Sequence, residues 1–246
     1  FHDRPASFTG ILGSDQYANH ILTVLEDVGV HPHAMRFAYG PSGRAWVRVG
    51  ADGDRVFVGG NRGGVQSQLR LRLTEADLAW AAKCGAVHTS IYSNLDGDLA
   101  DLARVATVSY DFSSAPELEV VAAVAPHIST GFFSADGMTQ DEAVAYGYRV
   151  LDLGIDTVVI TAGARGSLAV TRTDGLLEQG IVSTEVVDTL GAGDSFISGF
   201  LKAQDDGLGL AACLQLAAQS GARGCTLMGA FGHAMETQDL GPENPR

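Results

Sequence analysis

Val187-Asp188-Thr189-Leu190-Gly191-Ala192-Gly193-Asp194-Ser195-Phe196 decides how the rest of this chain is read. A β-type run over 184–187 leads into a glycine-containing turn, and a helical pattern follows over 194–204. Gly191 and Gly193 carry no Cβ, so the backbone can bend tightly there and come close to a ligand. Such a turn aims the N–H groups of Gly191, Ala192 and Gly193 outward from the start of the helix. Unpaired amides and the positive end of the helix dipole together make a site for an anion, phosphate above all. Asp194 then has two readings. As an ordinary capping residue it accepts backbone amides of the first helical turn. As a general base it takes the proton of a hydroxyl that attacks a phosphoryl group, which explains a carboxylate placed beside an anion site.

The bulk properties set the frame. A chain of 246 residues, 46% hydrophobic and 18% charged, suits one large α/β domain with a well-buried core. A net charge of −13 argues against nucleic acid or an anionic membrane surface as partner. It leaves nucleotide binding open, because phosphate needs only local amides and a metal. No apolar run reaches the length of a membrane span. Cys84, Cys213 and Cys225 lie far apart with no C-x-x-C spacing, which predicts a reduced, cytoplasmic setting and small core residues. His31 and His33 flank Pro32 as a turn or linker pair, and no zinc-ligand spacing occurs among the histidines. The polar tail 235–246 is predicted to be loose.

Along the chain, a β-type run over 6–12 and a helix opened by Asp15 form half of a parallel βαβ unit. The pattern then changes to short strands over 35–39, 45–49 and 55–58, with turn chemistry at 40–43 and 51–54 and no helix between them. This predicts a small antiparallel β-unit set into the α/β domain, serving as decoration, dimer surface or lid. The α/β rhythm resumes with Thr74 capping a helix and Asp77 in capping-box position. Strands are expected over 86–90, 105–112 (ending at Asp111), 128–133 and 157–161, separated by helices over 98–104, 115–124 and 141–153. A hairpin over 167–181 precedes the quoted turn, and a last helix covers 210–221.

A second motif, Thr161-Ala162-Gly163-Ala164-Arg165-Gly166-Ser167, follows the apolar strand Thr157-Val158-Val159-Ile160-Thr161. Small residues at the C-terminal end of a strand let a ring or a phosphate approach the backbone, where doubly wound sheets bind ligands. Arg165 reads either as a phosphate contact or as a solvated surface side chain.

D-T-L-G-A-G-D-S-F over 188–196 resembles the signature of the ribokinase-like (PfkB) carbohydrate kinases, and T-x-G-x-x-G over 161–166 resembles their ATP-side segment. The resemblance covers most of the chain, from Ala6 to Gly232. It implies a three-layer α/β/α fold with a mostly parallel central sheet and a small antiparallel β-lid. The core is then 1–32 and 67–246, with 33–66 inserted as the lid. It makes Gly191, Ala192 and Gly193 the anion hole and Asp194 the catalytic base. Thr161, Gly163 and Gly166 then lie against ATP. Asp188 and the carbonyl of Leu190 hold a monovalent cation, K+, and 221–232 completes the adenine pocket. Asn61, His88 and Asp111 are the candidate substrate contacts, with Asp111 equally suited to fixing a turn.

Two departures accompany it. The family's N-x-x-E segment, which orders Mg2+, corresponds to 133–137, where neither Asn nor Glu stands. No protein ligand for the divalent metal is therefore assigned; Asp136, Glu142 or the ATP phosphates with water are the alternatives. The family also begins with a strand, a lid strand and a G-G-x-x-N segment, and this sequence starts after them. Among the family, Leu73–Trp80 with Ala86–Thr89 and Tyr110–Ser113 is most similar to fructoselysine 6-kinases. That similarity implies transfer from ATP to the 6-hydroxyl of a glycated amine. A kinase of fructose, ribose or adenosine, and a lapsed sugar- or nucleotide-binding regulator, are the alternatives. A homodimer through the lid is a further expectation.

Overall fold

A computed structural model describes residues 4–49, 55–233 and 235. The chain opens with β1 (Ala6–Phe8), β2 (Ile11–Leu12), α1 (Gln16–Asp27), β3 (Val30–Pro32) and β4 (Arg36–Phe37). Asp15 caps α1 through the amide of Ala18. β1 pairs in parallel with β3, and β2 with β4. Residues 31–32, expected in a turn, are thus strand. The reason is local packing: the ring of His33 stacks on Trp80 at 4.4 Å and 7°, and His31 lies 5.7 Å from the same indole.

β5 (Ala45–Val49) and β6 (Arg55–Gly60) form an antiparallel hairpin of their own, with a register shift at Trp46/Val47. The turn expected at 51–54 lies outside the described residues. β4, within the range read as lid, pairs with β2, so the hairpin proper begins at Ala45.

The elements that follow include α2 (Val65–Gln68), α3 (Glu75–Cys84), β7 (Ala86–Ser90), α4 (Leu99–Ala103), β8 (Thr107–Ser114), α5 (Leu118–Val124), β9 (Thr130–Ser134), α6 (Gln140–Leu151), β10 (Thr157–Thr161), β11 (Ser167–Thr171), β12 (Gly175–Gln179), α7 (Ala192–Asp205) and α8 (Leu210–Gly224), with a short helical turn at Gly229–Gly232. Thr74 and Asp77 close the capping box that starts α3, and Thr139 and Glu142 do the same for α6. The run 184–187 is not a strand. Its end is held from elsewhere, because the amides of Val187 and Asp188 both donate to the carbonyl of Cys225.

Among the described residues the central sheet runs β12-β11-β10-β9-β8-β7, with β7 to β10 parallel and the β11–β12 hairpin antiparallel. The valine- and isoleucine-rich β10 sits inside it, covered on both faces as a parallel strand must be. Tyr110, Phe112, Phe133, Val158, Ile160 and Leu168 face a core built with α4, α5 and α6. The alternate residues Phe132, Val159 and Ala169 face Phe196, Ile197 and Phe200 of α7 and Leu214 of α8. The result is a three-layer α/β/α arrangement with helices on both faces of a mostly parallel sheet.

Candidate functional site

Gly191 is the N-cap of α7, with φ +76, so a residue without Cβ is needed to turn the chain there. Packing demands the same: a Cβ on Gly191 would meet the Cβ of Ala230 at 2.7 Å and its Cα at 2.8 Å. Asp188, 1% exposed, ties the turn to the loop that carries Ala230. Its Oδ1 accepts the amide of Leu190 at 2.9 Å and its Oδ2 the amide of Gly229 at 2.6 Å. Behind the turn, Gly224 of α8 approaches Ser195 so closely that a Cβ would lie 2.5 Å from its Oγ. Small residues in 221–232 therefore let the last helix and loop close against the signature turn.

Of the three amides expected to point outward, that of Ala192 donates to the carbonyl of Thr189 at 3.2 Å. The amides of Gly191, Gly193 and Asp194 have no backbone acceptor among the described residues. They stand at the start of a 14-residue helix, whose dipole adds positive potential. Nothing lies within 4 Å of where a Cβ on Gly193 would be. Asp194 is the third residue of α7 rather than its cap, is exposed, and makes no hydrogen bond or ion pair to a described residue. The capping role open to it in the sequence belongs instead to Gly191, which supplies no side-chain bond.

Thr161 ends β10, and its Oγ1 donates to the carbonyl of Phe133 at 3.3 Å. Gly163 (φ +55) and Gly166 (φ +96) shape the turn to β11; a Cβ on Gly166 would strike the Gln179 carbonyl, whereas Gly163 faces open space. Arg165 reaches the carbonyl of Ala135 at 3.4 Å. Beside this turn a cavity of about 320 Å³ opens among Ala162, Arg165, Ser167 and Glu178 to Gly180. The hydroxyl of Ser167 is buried there without a partner among the described residues. A wider, shallower hollow lies at the opposite end of the strands, among Thr107, Ser129 and Asp156, away from both motifs.

The three candidate substrate contacts separate. Asn61 is engaged in the stem of the hairpin, where its Oδ1 accepts the amide of Arg44 at 2.8 Å and its Nδ2 donates to the carbonyl of Ser42 at 2.6 Å. Ser42, fully buried, in turn donates from Oγ to Asp15 at 2.8 Å and accepts the amide of Gly13 at 3.0 Å. His88 lies with its Nδ1 2.9 Å from the Oγ of Ser109 and its ring edge-on to Phe132. His88 as a residue is exposed, while burial of its ring in the surrounding protein pushes the imidazole down to about 4.

Asp111 does not end its strand. β8 continues to Ser114 through an irregularity after Asp111, where Ser113 takes φ +60 and its amide donates to Asp111 Oδ1 at 2.8 Å. That turn-fixing bond occupies one carboxylate oxygen. Burial first, and the charge of Asp194 with it, hold the Asp111 carboxyl above its ordinary range. The register explains the proximity. Asp111 is paired with Phe132, Phe132 with Val159, and Val159 with Ala169, so Asp111 shares the sheet face on which α7 lies. The proximity of Asp111 to Asp194 was not legible in the sequence.

Among the described residues no group of three or more His, Cys, Asp or Glu could hold a metal ion. Glu142 is committed to the cap of α6, its carboxylate accepting both the amide and the hydroxyl of Thr139. Asp136 is exposed beyond the end of β9.

A glycine turn that opens a helix, amides there with no acceptor among the described residues, a carboxylate beside them and a second glycine turn two strands earlier in the chain are the parts a phosphoryl-transfer site needs. The sequence agrees: the model of the pfkB family of carbohydrate kinases matches residues 3–236. The chain belongs to the pfkB family of carbohydrate kinases. It is 38% identical over 233 residues to fructosamine kinase FrlD of Bacillus subtilis, covering 93% of this chain and 80% of that one. With fructoselysine 6-kinase of Escherichia coli it shares 31% over 202 residues, 80% of this chain and 74% of the relative. The fold is similar to that of Arabidopsis thaliana ribokinase complexed with ribose and ATP, with a TM-score of 0.79 at 23% identity over 93% of this chain and 78% of that one. This pfkB-family chain is thus a sugar kinase on a ribokinase-like fold. No helix among its described residues is long and apolar enough to cross a membrane.

Proposed function

We propose that this kinase transfers the γ-phosphoryl group of ATP to the 6-hydroxyl of a fructosamine such as fructoselysine, with Asp194 as general base. The observation that carries the base assignment is a carboxylate with no hydrogen bond to a described residue, beside three amides with no acceptor among the described residues. The acceptor class rests on the relatives named fructosamine kinase and fructoselysine 6-kinase.

In this reading Asp194 accepts the proton of the primary hydroxyl as its oxygen attacks phosphorus. The amides of Gly191, Gly193 and Asp194 take up the charge that grows on the transferring group. The anion hole is then shifted from Gly191, Ala192 and Gly193 by the bond that Ala192 makes to Thr189. The nucleotide lies along Thr161, Gly163 and Gly166, where the open side of Gly163 gives it room. The donor set suits a magnesium ion carried on the nucleotide phosphates and its own waters, as small hard cations often are in kinases. When bound, it neutralises phosphate charge. Asp188 and the carbonyl of Leu190 offer the oxygen donors that a potassium ion takes; activity in potassium against sodium buffer, with Asp188→Asn beside it, tests that assignment. The division into a core and a lid over 33–66, and a homodimer through the hairpin, belong to the same reading. Sedimentation of the protein with and without β5–β6 substitutions tests the dimer.

The deciding experiment is a coupled ADP-release assay over a panel of acceptors. Turnover of glycated lysine well above free fructose, ribose and adenosine supports the reading. Preference for a free sugar or nucleoside overturns the acceptor assignment and leaves the kinase assignment standing.

A further inference from the structure

Three residues of β7 and β8 mark the far side of the candidate site from the nucleotide turn. The helices α7 and α8 pack on residues of β9, β10 and β11, through Phe132, Val159 and Ala169. On the same sheet face, His88 and Ser90 of β7 and Asp111 of β8 are exposed or only half buried. Asp111 lies two strands from β10, about 10 Å at the usual strand spacing. The hairpin stem is on this side too: Val65 and Leu71, which follow the hairpin, pack with Leu95 after β7, and Gln66 reaches the carbonyl of Tyr92. Asp111 therefore stands between the stem of the hairpin and Asp194, where an acceptor would lie.

Its carboxylate is held in place. Ser113 adopts a left-handed backbone that a serine rarely takes, and the hydroxyl of Tyr92 lies 3.3 Å from the Ser113 Oγ. The Ser113 amide takes one oxygen of Asp111. No Lys, Arg or His among the described residues pairs with Asp111. A partly desolvated carboxylate near a second one, with no protein cation, is best matched by a cationic ligand, since a charge-assisted hydrogen bond returns more than a neutral one.

We propose that Asp111 is an acceptor-binding residue that accepts a hydrogen bond from the protonated amine of a glycated acceptor, whose sugar spans from Asp111 to Asp194. The inference rests on the acceptor class proposed above and adds the residue that selects it. Fructosamines and free hexuloses share the sugar part; what separates them is a positive nitrogen, and Asp111 is the group on this side of the site that responds to it. It acts on binding, so its loss raises KM for the charged acceptor and leaves kcat at saturation little changed.

The test compares two acceptors that differ in one atom, 1-deoxy-1-propylamino-fructose and 1-O-propyl-fructose, with the full chain and with Asp111→Asn. Asn keeps an oxygen for the Ser113 amide but loses the charge. The unmodified protein should favour the amine in kcat/KM by about 10- to 100-fold, the range of one hydrogen bond to a charged group. The variant should lose that preference through KM, the KM for the amine rising at least about tenfold more than the KM for the ether. Asp111→Ser, with circular dichroism and thermal melting of both variants, gives the same comparison if Asn disturbs folding. A variant that still favours the amine overturns the inference alone. Equal losses on both acceptors, or a raised magnesium requirement, place Asp111 with the nucleotide and also overturn it. An unmodified protein that uses only the ether, or neither compound, removes the acceptor class and this inference with it.

Discussion

Gly191 and Ala230 approach so closely that the side chain of alanine has no room at position 191: its Cβ would stand 2.7 Å from the Cβ of Ala230. Gly191 also has φ +76. Two separate costs therefore fall on Gly191→Ala, a left-handed backbone of about 1–2 kcal/mol and a clash with a backbone atom. Gly193, two residues on, meets nothing. Gly191→Ala should lower the melting temperature by several degrees, at about 2–4 °C per kcal/mol for a chain of this size, and abolish turnover. Gly193→Ala should leave melting within about a degree or raise it, because alanine suits a helix better by about 1 kcal/mol, and yet slow turnover by crowding the amides. Melting curves and kcat for the two variants check the contrast.

Asp77 joins β4 to the start of α3. It is buried, accepts both guanidinium nitrogens of Arg36, and accepts the Thr74 amide and hydroxyl. Burial works against its charge, but these bonds outweigh burial and hold its carboxyl down at about 2. A carboxylate depressed in the folded state contributes stability above its unfolded value and loses it as pH falls toward the folded one. The contribution is about 2 kcal/mol at neutral pH, lost between about pH 4 and pH 2. Urea denaturation of the native protein and Asp77→Asn should differ by at least that amount at pH 7 and converge toward pH 2. A difference that does not change with pH contradicts the assignment.

Ser42 is the joint between the hairpin and the core. Its hydroxyl is both donor to Asp15 and acceptor from Gly13, and its carbonyl accepts Asn61. Ser42→Ala leaves a buried amide without its partner and should cost about 1–3 kcal/mol. Asp15 keeps the Ala18 and Ser42 amides, so α1 stays capped. The measurement is a denaturation curve, with amide exchange at Gly13 and Asn61 rising if the joint has opened. Unchanged stability would mean that solvent replaces the hydroxyl.

Much of this arrangement was legible in the sequence because local chemistry determines it. The Thr74/Asp77 capping box, the cap at Asp15, the β-branched run of β10 and the glycine turn before α7 are each set by residues a few positions apart. What was not legible depends on distant partners. His31 and Pro32 looked like a turn until β1 supplied a parallel neighbour and Trp80 a stacking surface. The run 184–187 had strand composition, but its end is held by a carbonyl 38 residues beyond Val187, at Cys225. Asn61 was a candidate ligand by its polarity, and its amide is taken up by Arg44 and Ser42. That Asp111 lies on the sheet face of α7, where the charge of Asp194 reaches it, required the register of the strands from β8 to β11, which no local pattern contains.

The central claim is that the carboxylate of Asp194, beside amides with no acceptor among the described residues, deprotonates the attacking hydroxyl. Asp194→Asn keeps the shape and removes the basicity, and among the described residues the side chain has no bond whose loss would unsettle the fold. Steady-state turnover of this variant with ATP and a glycated amine tests the claim most directly. The account predicts that kcat falls by about 10²- to 10⁴-fold, with unchanged melting and nucleotide affinity. A variant that turns over within a few-fold of the unmodified protein contradicts it.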